Sequence, residues 1–119
     1  MQIPKDAMLL RVFCGEDDKF ERQPLYEAIV LKAREMHLGE QRFFAVRSAT
    51  AIPARLHTAK IRRLSCDLPI VIEILDTEEK IRGFLPELDR MMGSGLVTLE
   101  KVQVLQYGPE GLAERGGFS

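Results

Sequence analysis

From Gln41 to Cys66 the chain carries no acidic residue, yet it holds Arg42, Arg47, Arg55, Lys60, Arg62 and Arg63, with His57 among them. The whole protein has 17 basic and 18 acidic residues and a net charge of −1. Positive charge is therefore gathered into one stretch. A local basic patch on a near-neutral domain attracts a defined anion or an acidic partner, not nucleic acid in general. The bland reading is a solvated loop whose Lys and Arg keep an exposed edge soluble. Other reactive groups are sparse. Glu16, Asp17 and Asp18 are the candidates to hold Mg²⁺ beside a phosphate, or simply a turn between elements. The soft metal ligands are Cys14, Cys66, His37 and His57, without CxxC or HxxxH spacing. His37 sits at a helix end, where contact with the last carbonyls is the simpler role. Ser65, Cys66 and Asp67 are adjacent, but no histidine follows them to act as a base, so the chain does not read as an enzyme.

These groups need a scaffold, and 119 residues supply one domain, with residues 1–7 and 108–119 expected as flexible tails. The sequence pI of 6.1 argues against a general nucleic-acid binder. Two cysteines do not make a disulfide framework, no apolar run approaches the roughly 20 residues of a membrane span, and the first residues do not resemble a signal peptide. A reducing, cytoplasmic setting is expected.

The positioning elements can be read in order. Met8 to Cys14 predicts a strand apolar on both faces. Pro24 opens a helix whose stripe is Leu25, Ile29, Ala33 and Met36, stopped at Gly39. Phe43 to Ala49 is a strand with Phe44 and Val46 on one face. The basic loop follows, with a strand-like arm from Leu56 to Leu64. Pro69 to Leu75, PIVIEIL, suits a central strand. Asp76 with Glu79 predicts a capping box, opening a helix with Ile81, Phe84, Leu85, Leu88, Met91 and Met92 on its buried face. Pro86 is expected to kink that helix. Gly93-Ser94-Gly95 ends it, and Leu96 to Leu105 is the last strand.

Strand, helix, strand, arm, strand, helix, strand is the order of an α+β, ferredoxin-like split βαβ sandwich. Two helices cover one face of such a sheet. Strands apolar on both faces therefore predict a second copy over the other face.

The stretches LLRVFCGEDDK, PLYEAIVLKAREMHLG, HTAKIRRLSCDLPIVIEILDTEEKIRGFLPELDRMM and GLVTLEKVQVL give the chain a resemblance to PII-like proteins. More narrowly, it resembles the small bacterial and archaeal family of unknown function in that superfamily. The resemblance implies a homotrimer with ligand sites in the clefts between subunits, and a loop, here Thr50 to Asp67, that touches a regulated protein. In nitrogen-regulatory PII proteins a Gly-Asp-Gly-Lys turn before the last strand holds nucleotide phosphates. Gly93-Ser94-Gly95-Leu96 stands there in this chain: the glycines remain and the lysine is absent. Backbone N–H groups of such a turn can form an anion nest. Arginines at the end of the last PII strand are replaced by the uncharged Val102-Gln103-Val104-Leu105-Gln106, and the uridylylated loop tyrosine has no counterpart. What the resemblance implies is a signalling protein that binds an adenine nucleotide, AMP or ADP, through Arg47, Lys60, Gly93, Ser94 and Gly95. Arg55, His57, Arg62 and Arg63 are expected to bind an unidentified regulated protein, for example a membrane transporter or an enzyme. No metal is required. The alternative is a metal-binding trimer similar to CutA.

Overall fold

PIVIEIL and MLLRVFC, the most apolar stretches, become the two central strands of one sheet. The structure, a computed structural model, describes residues 5–48 and 69–106. The elements are β1 (Lys5–Gly15), β2 (Lys19–Phe20), β3 (Gln23–Pro24), α1 (Leu25–Glu35), β4 (Phe43–Ser48), β5 (Pro69–Asp76), α2 (Glu78–Met91) and β6 (Leu96–Val104). The main sheet is antiparallel in the order β4-β5-β1-β6, as the split βαβ order requires. Each strand and helix expected within the described residues is present, with ends displaced by a few residues. The arm from Leu56 to Leu64 lies outside them.

Alternation divides the sheet into two faces. Met8, Leu10, Val12 and Cys14 of β1 and Ile70, Ile72 and Ile74 of β5 form one core with the helices. The helices contribute Leu25, Ala28, Ile29 and Ala33 from α1 and Ile81, Phe84, Leu88 and Met91 from α2. Met36, Leu85 and Met92 are only partly buried at its margin.

Several expectations are corrected. Residues 5–7 are strand, not tail: Lys5, Asp6 and Ala7 pair with Val104, Gln103 and Val102, because β6 is long enough to offer them backbone partners. The cap of α2 is Thr77, whose hydroxyl accepts from the Lys80 N–H at 3.2 Å. Asp76 is still strand, and its buried carboxylate accepts from the Gly39 N–H at 2.8 Å and the Thr77 N–H at 2.7 Å. It thereby ties the α1–β4 connection to the end of β5. Gly39 is needed there: its φ is +74°, and a Cβ would lie 2.6 Å from the Phe43 carbonyl oxygen. Pro86 lies inside α2, as expected. Glu16 and Asp17 form the expected turn, and beyond it an unforeseen two-residue ribbon, β2 paired with β3, turns through Glu21 and Arg22 at φ 50° and 73°. Positive φ at both central residues is the geometry of a tight hairpin turn, which Glu-Arg does not advertise.

The second face of the sheet is less apolar than expected. It bears Ala7, Leu9, Phe13, Val71 and Leu75, but Arg11 and Glu73 sit directly opposite one another at its centre.

Candidate functional site

Arg47 is the next-to-last residue of β4, just before the basic stretch leaves the described chain. In register it lies opposite Val71, one step diagonal from Glu73 on the same face. Its Nη2 lies 3.2 Å from Glu73 Oε1. The Glu73 side chain is 12% exposed, and its other oxygen accepts from Arg11 Nε at 2.9 Å. Arg11 Nη1 in turn donates to Glu100 Oε1 at 3.1 Å. These contacts push the Arg11 guanidinium above its ordinary pKa, chiefly through the hydrogen bond to Glu73, against the opposing effect of burial.

The glycine turn joins α2 to β6. Gly95 is buried at φ +122°, and a Cβ on it would lie 2.6 Å from the Phe13 carbonyl oxygen. Gly93 and Ser94 are exposed, and a Cβ on Gly93 would meet nothing within 4 Å. Leu96 pairs with Phe13, Gly15 with Pro69 and Ser48 with Ile70. The turn, the Gly15 loop and the roots of the basic stretch therefore share one end of the sheet. Arg47 and Gly95 nevertheless stand on opposite edges. Three strand spacings separate β4 from β6, about 14 Å. One chain does not bring Arg47 and the glycine turn onto a common phosphate. Lys60 and the proposed partner-binding residues Arg55, His57, Arg62 and Arg63 lie outside the described residues, as do Ser65, Cys66 and Asp67.

The acidic loop is partly committed to structure, since the Asp18 carboxylate accepts from the Gly15 N–H at 2.9 Å. Among the described residues no group of three His, Cys, Asp or Glu side chains is placed to hold a metal. Cys14 is fully buried, and desolvation, aided by the Asp18 charge, pushes its thiol up to about 12, which disfavours the thiolate a metal needs. His37, at φ 60°, is exposed with Nδ1 2.9 Å from Glu40 Oε2, and its carbonyl accepts from Lys80 Nζ at 2.9 Å. A groove of about 550 Å³ runs between α2 and β6 past Leu85, Pro86, Met92 and Val97, and contains none of the candidate residues. Among the described residues no helix is long and apolar enough to cross a membrane.

Arg11 and Glu73 were missed by sequence reasoning. The available signal was a single charge of opposite sign inside each of the two most apolar strands, MLLRVFC and PIVIEIL. In antiparallel register those charges meet.

Residues 7–104 match the profile of the DUF190 family, described as uncharacterized ACR, COG1993. A UPF0166 protein of Aquifex aeolicus (strain VF5) is 37% identical over 97 residues, covering 82% of this chain and 91% of the relative. A UPF0166 protein of Methanocaldococcus jannaschii is 30% identical over 105 residues, with the same coverage of 82% and 91%. Among solved structures, a chain from Thermus thermophilus, provisionally a PII-like signaling protein, superposes with a TM-score of 0.57 at 12% identity, covering 86% of this chain and 91% of that one. CPII of Thiomonas intermedia K12, a nitrogen regulatory PII-like protein bound to ADP, AMP and bicarbonate, superposes with a TM-score of 0.51 at 14% identity, covering 87% and 96%. At such identities the likeness is one of fold.

Proposed function

The chain belongs to the DUF190 family, and from that premise we propose that it is a PII-like regulatory protein that binds an adenine nucleotide, AMP or ADP, between subunits of a homotrimer. The observation that carries the reading is the split placement of Arg47 and the glycine turn, at the same end of the sheet but on opposite edges. A ring of copies that sets the β4 edge of one subunit beside the β6 edge of the next unites them. The exposed Gly93-Ser94 backbone then offers N–H groups to a phosphate, and Arg47 offers charge. The adenine lies against β4 near Ala45 to Ser48. Lys60 is the second cation, and Arg55, His57, Arg62 and Arg63 contact the regulated protein. Support comes from CPII, a relative in fold that holds ADP and AMP.

Calorimetric titration of the full chain with AMP, ADP, ATP and cyclic nucleotides tests this. Charge-assisted hydrogen bonds are worth about 1.5–3 kcal/mol, so Arg47→Ala should weaken binding about tenfold or more. Arg62→Ala and Arg63→Ala should leave it nearly unchanged. Absence of heat with every nucleotide sinks the reading, and equal losses from all three substitutions reduce it to a general basic surface.

A further inference from the structure

Arg47, Glu73, Arg11 and Glu100 form a chain of alternating charge with one member on each strand, β4, β5, β1 and β6 in spatial order. The chain crosses the sheet diagonally. Arg47 lies two residue pairs nearer the glycine-turn end than the Glu73–Arg11 pair, and Glu100 two pairs further from it. Resting on the reading of Arg47 as a phosphate-binding cation, we propose that Glu73 competes with the incoming anion for Arg47 and so sets the affinity of the site.

The two ends of the Arg47–Glu73 contact are unequal. Glu73 belongs to a central strand, is nearly buried and is anchored by Arg11 at 2.9 Å. Arg47 belongs to an edge strand, its side chain is 64% exposed, and its contact is the longer one at 3.2 Å. When the pair separates, Arg47 is the member that can move. Glu73 then keeps Arg11, so no buried carboxylate is left unpartnered, and the separation avoids the heavy cost of an isolated buried charge. The four charges sum to zero. An anion approaching Arg47 therefore gains little net attraction from this network while Glu73 holds the guanidinium. Binding exchanges one charge-assisted contact for another, and the affinity reflects their difference. The competition discriminates by charge: a doubly charged terminal phosphate displaces a carboxylate more readily than a singly charged anion does.

Glu73→Gln removes the competing charge and keeps an acceptor for Arg11. Titrated with ADP, AMP and inorganic phosphate, this variant should bind about tenfold more tightly than the wild type. In Glu73→Gln/Arg47→Ala the gain should vanish. If the wild type binds and Glu73→Gln is unchanged or weaker, the competition is overturned while the nucleotide reading stands. A gain that survives in the double variant also overturns it, because Glu73 then acts by general repulsion. If neither wild type nor Glu73→Gln binds any of the three, both readings fall. A readout on the unaltered protein covers the case in which Glu73→Gln does not fold. The ¹³C resonance of the Glu73 carboxylate should shift on saturation with ADP as Arg47 leaves it, and a resonance that stays in place overturns the proposal.

Discussion

Gly95→Ala places one methyl group where the fold has no room. Its Cβ would lie 2.6 Å from the Phe13 carbonyl oxygen and 2.6 Å from Met92 Cε. The methionine tip can swing aside. The carbonyl cannot do so cheaply, because Phe13 is paired with Val71 on one side and Leu96 on the other. The backbone adds a second cost, since φ is +122° and L side chains rarely adopt that region. Strain of this kind is worth about 1–3 kcal/mol, and loosening one ladder contact adds about 1 kcal/mol. The expected loss is thus about 2–4 kcal/mol, a large share of the roughly 5–15 kcal/mol typical of a domain. Gly93→Ala is the internal control, because its Cβ would enter open space. Its effect should stay within about 0.5 kcal/mol. Urea denaturation at one fixed protein concentration measures both, with the midpoint falling for Gly95→Ala at an unchanged slope. A Gly95→Ala midpoint equal to that of the wild type, or a Gly93→Ala loss as large as that of Gly95→Ala, refutes the division of labour between the two glycines.

Three further outcomes are expected. Thr77→Ala removes the α2 cap and should cost about 1 kcal/mol in the same denaturation assay. The Cys14 thiol titrates near 9.0 when unfolded and is pushed up to about 12 by burial. Its contribution to stability is therefore complete below about pH 9 and is lost as pH rises from about 9 toward about 12, at no more than about 1.4 kcal/mol per pH unit. Urea midpoints across that range in a Cys66→Ser background check the sign. Light scattering should give three times the 13.5 kDa chain mass. Phe43→Glu, at an exposed position of β4, should lower that mass while circular dichroism stays native, whereas Ile72→Asp, in the core, should abolish folding. A trimeric Phe43→Glu would show that this edge faces solvent.

The fold was legible because its signals were local and repeated. PIVIEIL has the composition of a buried strand, and Ile81, Phe84, Leu88 and Met91 recur at helical spacing. What was not legible depended on pairings distant in sequence. Asp76 looked like a cap because Glu79, three positions on, completed the pattern, whereas the true cap is its neighbour Thr77. Its actual partner, the Gly39 N–H, is 37 residues away. The charges of Arg11 and Glu73 vanished into two apolar strands, since only the register shows that they meet. The candidate site was half legible. Residue types singled out Arg47 and the glycines, but only the strand order showed that one chain holds them apart.

That separation bears on why assembly and ligand binding belong together in the proposed reading. Among the described residues, both edge strands have unpaired backbone along their outer side and expose apolar side chains: Phe43 and Val46 on β4, Val97 and Leu99 on β6. An exposed edge of this kind invites pairing with another chain. A heterologous contact of β4 with β6 covers both edges at once, and it closes into a ring when the rotation per subunit permits. In the proposed reading the same contact would create the phosphate site, with Arg47 on one side and the Gly93-Ser94 backbone on the other. A ligand there would touch two subunits and be sensitive to their relative position. Glu73 joins that site to the centre of the sheet, and through Arg11 to Glu100 on the far edge. A phosphate that takes Arg47 from Glu73 leaves Arg11 with two carboxylates to hold instead of sharing one of them. In that reading its grip on Glu73 would tighten at the expense of Glu100, the more exposed of the two at 55% against 12%. In the proposed reading the charge chain would give an anion on the β4 edge a physical path to the β6 edge, where the same subunit would meet its other neighbour.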